Sequence, residues 1–299
     1  MKSLRVLASA GVAAAGFAST GAGAPVRVTY WDPAWSPTGR EIAFADRGDV
    51  AGDLYVVEAD GTAVRRLTNS SYASGNYGAR LPTWSPDGRR IAFGYGSDGI
   101  AVVKADGTGL RRMIATGDQP AWSPSGRWIA YTLGEDQGGR ISVAKPDGSH
   151  RRIVARPPEN DSYQGPTWSP DGRRLAFGVG TAPDSSLVTP YLAIVGWHGG
   201  RMRRFAVGHT IWSADWSPNG RTILLSEDPI VNDRRGLRGV RISVLNLRSK
   251  RLRPLRPGLG ARWSPSGREI VFSNGRDIYV MSADGSHVRQ LTHAPPPLP

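Results

Sequence analysis

The sequence predicts an all-β fold, a six-bladed β-propeller of four-stranded antiparallel blades, on three observations. First, one hairpin template, W-S-P-x-G-R, recurs six times, starting at Trp35, Trp84, Trp122, Trp168, Trp216 and Trp263, with spacings of 49, 38, 46, 48 and 47 residues. Second, each template leads into an apolar run and then a further strand–turn–strand pattern. A strand-rich period near ~45 residues marks propeller blades, because one small sheet cannot bury its own faces and must stack on neighbours. Third, the chain has 299 residues, 39% of them apolar, with 38 Gly and 23 Pro. That suits one large core and many tight turns.

The template is a turn with a mechanism. Its Pro pre-sets φ, and a short polar residue follows: Thr38, Asp87, Ser125, Asp171, Asn219 or Ser266. The Gly then takes the left-handed conformation that closes a hairpin through a type I turn and a bulge. Six copies of one turn point to architecture, since a site would not need six. The second strands carry large residues at Ile42/Phe44, Ile91/Phe93, Ile129/Tyr131, Leu175/Phe177, Ile223/Leu225 and Ile270/Phe272. Between them stand Ala43, Ala92, Ala130, Ala176, Leu224 and Val271, so both faces are apolar, as in strands sandwiched between sheets.

Third strands are expected over 54–57, 100–103, 141–143, 192–195, 242–245 and 278–281, and fourth strands over 65–68, 111–114, 151–154 and 289–292. Asp-Gly turns join them at Asp60-Gly61, Asp106-Gly107, Asp147-Gly148 and Asp284-Gly285, whereas the fourth and fifth blades use His198-Gly199 and Arg248-Ser249. The propeller is expected to fill residues 25–293, ahead of a Pro-rich tail, 294–299. Residues 1–24 read as a signal peptide: a basic start with Lys2 and Arg5, an Ala-rich apolar stretch from Val6 to Ala18, and small residues to a cut after Ala22 or Ala24. The apolar stretch is too short to span ~30 Å of hydrocarbon, so export is expected, to the periplasm, cell envelope or exterior. Residues 26–30 alternate and could clasp the ring; six complete blades leave that open.

At the templates the sequence resembles the TolB-like family of six-bladed propellers. Trp84-Ser85-Pro86-Asp87-Gly88-Arg89 and Trp168-Ser169-Pro170-Asp171-Gly172-Arg173 match its hairpin in full, and the Ala-Asp-Gly-Ser/Thr turns match as well. The resemblance covers about nine-tenths of the chain and implies a TolB-like propeller, here without the α/β domain that precedes it in the family's namesake. Such repeats occur in periplasmic interaction proteins, in propellers of prolyl-oligopeptidase-type peptidases and in some polysaccharide lyases, so fold alone does not fix function.

The residues assemble little chemistry. No G-x-S-x-G nucleophile elbow is present, and Gly96-Ser97-Asp98-Gly99 has the wrong spacing. There is no cysteine. Of the five histidines, His150 and His287 fall in the same turn slot on opposite sides of the ring and cannot share a metal. Asp32, Asp118 and Asp215 precede their tryptophans at three different offsets, a poor start for a calcium site in the channel. No catalytic residue, cofactor or metal site is therefore assigned. The formal charge is +13, or +11 once Lys2 and Arg5 leave with the leader, but most of it is Arg at repeated positions. Nucleic acid is not an expected partner for an exported chain.

Topology locates a candidate surface. The turns between strands one and two, and three and four, are short and repetitive and share one face. The connections between strands two and three, and between blades, share the other face and are long and individual. Binding concentrates on variable loops held by a rigid frame. Candidate residues on that face are Tyr72, Tyr77, Tyr163, His209, Trp212, Asp228, Asp233, Arg234 and Arg235, rich in the types that anchor interfaces. The expected function is a non-enzymatic, monomeric, exported scaffold that binds a protein partner. The alternative is binding or lyase-type cleavage of an acidic polysaccharide at the channel mouth.

Overall fold

Each W-S-P-x-G-R template closes the first hairpin of a four-stranded antiparallel sheet, and six such sheets make up the molecule. The computed structural model describes residues 29–46, 52–69, 78–96, 99–134, 139–158, 161–181, 190–228 and 239–294. Residues 1–24, expected to be a leader, and the tail beyond Ala294 lie outside them.

Blade one holds β1 (Tyr30–Trp35), β2 (Glu41–Asp46), β3 (Leu54–Glu58) and β4 (Arg65–Arg66). Blade two holds β5 (Ala79–Trp84), β6 (Arg90–Tyr95), β7 (Ile100–Lys104) and β8 (Arg111–Ile114). Blade three holds β9 (Asp118–Trp122), β10 (Ile129–Leu133), β11 (Arg140–Ala144) and β12 (Arg152–Ala155). Blade four holds β13 (Asp161–Trp168), β14 (Arg174–Thr181), β15 (Tyr191–Gly196) and β16 (Arg203–Ala206). Blade five holds β17 (Thr210–Trp216), β18 (Thr222–Asp228), β19 (Arg241–Asn246) and β20 (Leu252–Pro257). Blade six holds β21 (Leu259–Trp263), β22 (Glu269–Ser273), β23 (Ile278–Ser282) and β24 (Arg289–Gln290). Strand order is sequential in every sheet, and the first strands pack on one another around the axis, β21 meeting β1.

The second strands are as apolar as the sequence predicts. All six large pairs and the residues between them are at most 2% exposed. They feed six hydrophobic clusters, each spanning one interface between neighbouring blades. The template tryptophans reach backwards across these interfaces. Trp84 Nε1 donates to Ala34 O and Trp168 Nε1 to Ala121 O, both at 3.1 Å. The hairpin glycines sit at φ between 66° and 69° and face the template proline of the preceding blade, which a Cβ added there would meet at 3.5–3.9 Å, Gly39 facing Pro265 across the closure.

Two fourth strands are shorter than expected, and the reason is chemical. Thr68 Oγ1 accepts the N–H of Leu54, and Thr292 Oγ1 accepts that of Ile278, both at 2.9 Å. A side chain thus takes the place of the ladder carbonyl just where β4 and β24 stop. Closure draws on the same economy. In the cluster where the ring closes, Trp35, Ile42, Phe44 and Val57 pack on Val271, Ile278, Val280 and Leu291. Tyr30 N donates to Arg276 O at 2.9 Å, and Ser273 Oγ donates to Tyr30 O at 2.7 Å. Of the proposed clasp, residues 26–28 lie outside the described residues, and Tyr30 belongs to blade one itself.

Candidate functional site

The first strands end at the template tryptophans and line an axial cavity of about 290 Å³ that reaches the hairpin prolines Pro124, Pro218 and Pro265. Each of these strands carries one extra residue relative to its partner, a bulge some three residues before the tryptophan. In five blades the bulge holds a left-handed residue: Asp32, Leu81, Gln119, Gly165 and Gly260, at φ of 51–62°. Blade five differs. Its bulge falls between Ile211 and Ser213, with no left-handed residue, and sets Trp212 against the cavity with half of its surface exposed. The other nine tryptophans are buried or part-buried, so Trp212 is the most exposed of them.

The polar residues of the channel mostly staple one inner strand to the next. Asp32 Oδ2 accepts Leu81 N–H at 3.3 Å, Gln119 Oε1 accepts Gly165 N–H, and Asp215 Oδ2 accepts Trp263 N–H at 2.8 Å. Asp118 pairs with Arg80 at 2.9 Å. The three aspartates singled out from sequence therefore serve three different junctions, and among the described residues no three His, Cys, Asp or Glu side chains converge as a metal would require. Asp215 opens partly on the cavity yet protein encloses it. Burial pushes its carboxyl up to about 6, against the opposing pull of Arg262 and the Trp263 N–H.

At the connection end of blade five stands a second polar cluster. Glu227 is wholly buried, and its carboxylate meets His209 Nδ1 at 2.8 Å, Arg241 Nε at 3.0 Å and Ser243 Oγ at 2.7 Å. Glu227, Arg241 and Ser243 are not apparent in the sequence, because a carboxylate in a strand looks solvated until its register is known. Glu227 faces Ile211 on one side and Arg241 on the other.

The candidate residues thus fall into three groups. His209, Trp212 and Asp228 lie together on β17 and β18 or their approach, with Asp228 paired to Thr210 in the ladder. Tyr163 is 2% exposed and packs on Phe177 at 4.8 Å, its phenol pushed up to about 12 by burial first and by Tyr191 and Asp161 beside it. It supports the blade and presents no surface. Tyr72, Tyr77, Asp233, Arg234 and Arg235 lie outside the described residues. His150 and His287 sit in exposed turns, as the sequence predicts, bonded to Ser149 and Ser286. The channel itself was legible in part: Pro33, Pro82, Pro120 and Pro166 stand two residues before their tryptophans, and Ala214 and Ala261 break the pattern.

A closed ring of six sequential four-stranded sheets about a lined axial cavity defines a six-bladed β-propeller. A family model described as TolB beta propeller domain matches residues 24–189, over half of the chain, and the chain belongs to that family. Solved structures agree on the fold. The chain is similar to a protein described as "putative TolB from Agrobacterium tumefaciens", at 20% identity over 88% of this chain and 90% of that one, with a TM-score of 0.68. It is similar to TolB from Acinetobacter baumannii at 17% identity, over 88% of this chain and 65% of that one, with a TM-score of 0.59. Oligogalacturonate lyase from Vibrio parahaemolyticus follows at 12% identity, 89% and 78% coverage and a TM-score of 0.56. No curated protein matches in sequence. Among the described residues no helix is long and apolar enough to cross a membrane.

Proposed function

We propose that this propeller is an exported, non-enzymatic scaffold that holds a protein partner on its connection face, the contact reaching inward to Trp212. The half-exposed Trp212 carries the reading. A rigid strand presents it, and its neighbour His209 is fixed by the buried Glu227. An aromatic held in this way can anchor an interface at little entropic cost. The leader read in the sequence and the TolB relatives support a role outside the cytoplasm.

A second reading rests on the cavity. Trp212, Arg262 and Asp215 share its wall, and one similar structure is an oligogalacturonate lyase. An acidic sugar would find a guanidinium and an aromatic face there. Photo-cross-linking from position 210, two residues along the same strand, in the mature protein within its own envelope separates the two. A discrete protein adduct that disappears with Trp212→Ala supports the scaffold. Turnover of polygalacturonate by the purified protein, lost with Arg262→Ala, would replace it with the lyase.

A further inference from the structure

Two adjacent blades depart from the charge pattern of the others on the outer rim. In blades one, two, three and six, the turn between the third and fourth strands carries Asp60, Asp106, Asp147 or Asp284. Each accepts hydrogen bonds from the Thr or Ser two residues on, which holds its carboxyl below the usual range. In blades four and five the same slot holds His198 and Arg248. The equivalence is structural: Gly61 N donates to Glu58 O as Gly199 N does to Gly196 O, and Leu247 N donates to Arg221 O as Ala59 N does to Arg40 O.

The outermost strands of blades one and six also have their bases paired with carboxylates. Arg65 pairs with Glu41 at 2.8 Å in blade one, and Arg289 with Glu269 at 3.5 Å in blade six. At the position of those glutamates, blades two to five carry no carboxylate: Arg90, Trp128, Arg174 and Thr222 stand there. From Arg241 to Arg268 there are eight basic residues and no carboxylate. Arg201, Met202, Arg203, Arg204, Phe205 and Lys250 line one groove, which brings the bases of the two blades together. Arg204 leans over Tyr191 and Arg203 over Phe205, and Arg201 and Lys250 are exposed.

We propose that this groove on the outer rim of blades four and five binds an acidic polysaccharide, whose carboxylates pair with Arg201, Arg203 and Lys250. Guanidinium forks match carboxylates two bonds at a time, and a row of them rewards a polymer with repeated charges. A groove takes a linear chain where a bilayer needs a flat face with apolar side chains to insert. Among the described residues, the exposed large apolar ones, Val64, Leu110, Trp212 and Val288, stand elsewhere. Single-stranded nucleic acid would want exposed aromatic rings for its bases, and Phe205 is 4% exposed. The site is separate from the channel wall that bears Trp212.

The test measures binding of the full mature protein to polygalacturonate oligomers, phosphatidylglycerol vesicles and single-stranded DNA across a salt series. Arg201→Gln/Arg203→Gln/Lys250→Gln should weaken polygalacturonate binding at least about tenfold and flatten its salt dependence. The control, Arg40→Gln/Arg89→Gln/Arg127→Gln, removes the same charge from the hairpin turns of other blades and should change it less than about twofold. Trp212→Ala should leave it intact, which keeps this site distinct from the partner surface. Equal losses in both triple variants would reduce the effect to net charge and overturn the proposal. So would the same sector dependence seen only with vesicles or DNA. Should the triple variant fold poorly, Lys250→Glu alone, at an exposed turn, takes its place: weaker polygalacturonate binding supports the groove, and unchanged binding overturns it.

Discussion

In the channel wall, Asp215 ties blade five to the backbone of Trp263 through a carboxylate that has lost most of its water. Its pKa is raised to about 6 in the folded protein from an ordinary value of 3.8. The folded state therefore holds the proton more tightly than the unfolded chain. The carboxyl costs nothing below about pH 4, and its penalty grows as pH rises through about 6. Asp215→Asn keeps an oxygen for the Trp263 N–H and removes the charge. It should raise stability by about 1–3 kcal/mol at pH 8 and by almost nothing at pH 4. Denaturant melts at the two pH values check this, and an equal effect at both would show that burial of the charge is not the cause. The sequence placed Asp32, Asp118 and Asp215 near their tryptophans but not their tasks. Whether a carboxylate meets a neighbouring N–H or an arginine depends on one inserted residue per strand, which composition and spacing do not reveal.

At the scale of the strand and the hairpin, the sequence was far more legible. Pro, a short polar residue and Gly admit few backbone conformations, and an apolar run sandwiched between sheets has little choice of face. The residues that depend on register escaped, among them Glu227 and the early ends of β4 and β24. Trp168 shows what the template achieves. It is 7% exposed, packs between blades three and four, and donates to Ala121 O. Trp168→Ala should cost about 3–5 kcal/mol, as truncation of a large ring between packed sheets does. A loss below about 1 kcal/mol in urea melts would mean that the ring is not a core residue.

For the whole molecule, closure is the question. Trp35 fills the interface between blades six and one as Trp168 fills that between three and four. If the ring has no weak seam, Trp35→Ala should destabilise within about 1 kcal/mol of Trp168→Ala, in one cooperative transition. A silent Trp35→Ala, or an early partial transition, would mark a seam there. Ligand identity was the least legible property. It lies in individual connections, where Tyr72, Tyr77, Asp233, Arg234 and Arg235 fall, and in charge exchanges such as Asp to Arg248, whose meaning appears only when the blades are superposed.

Both flanks of the ring converge on Arg276: its carbonyl receives Tyr30, and its guanidinium donates to Ala294 O at 3.4 Å. A few residues could bridge that gap, and the polypeptide could then be severed between any other two blades without separating a strand from its sheet. The order in which the six units are translated is thus a matter of genetic history, and circular permutants are accessible to engineering wherever a new opening is wanted.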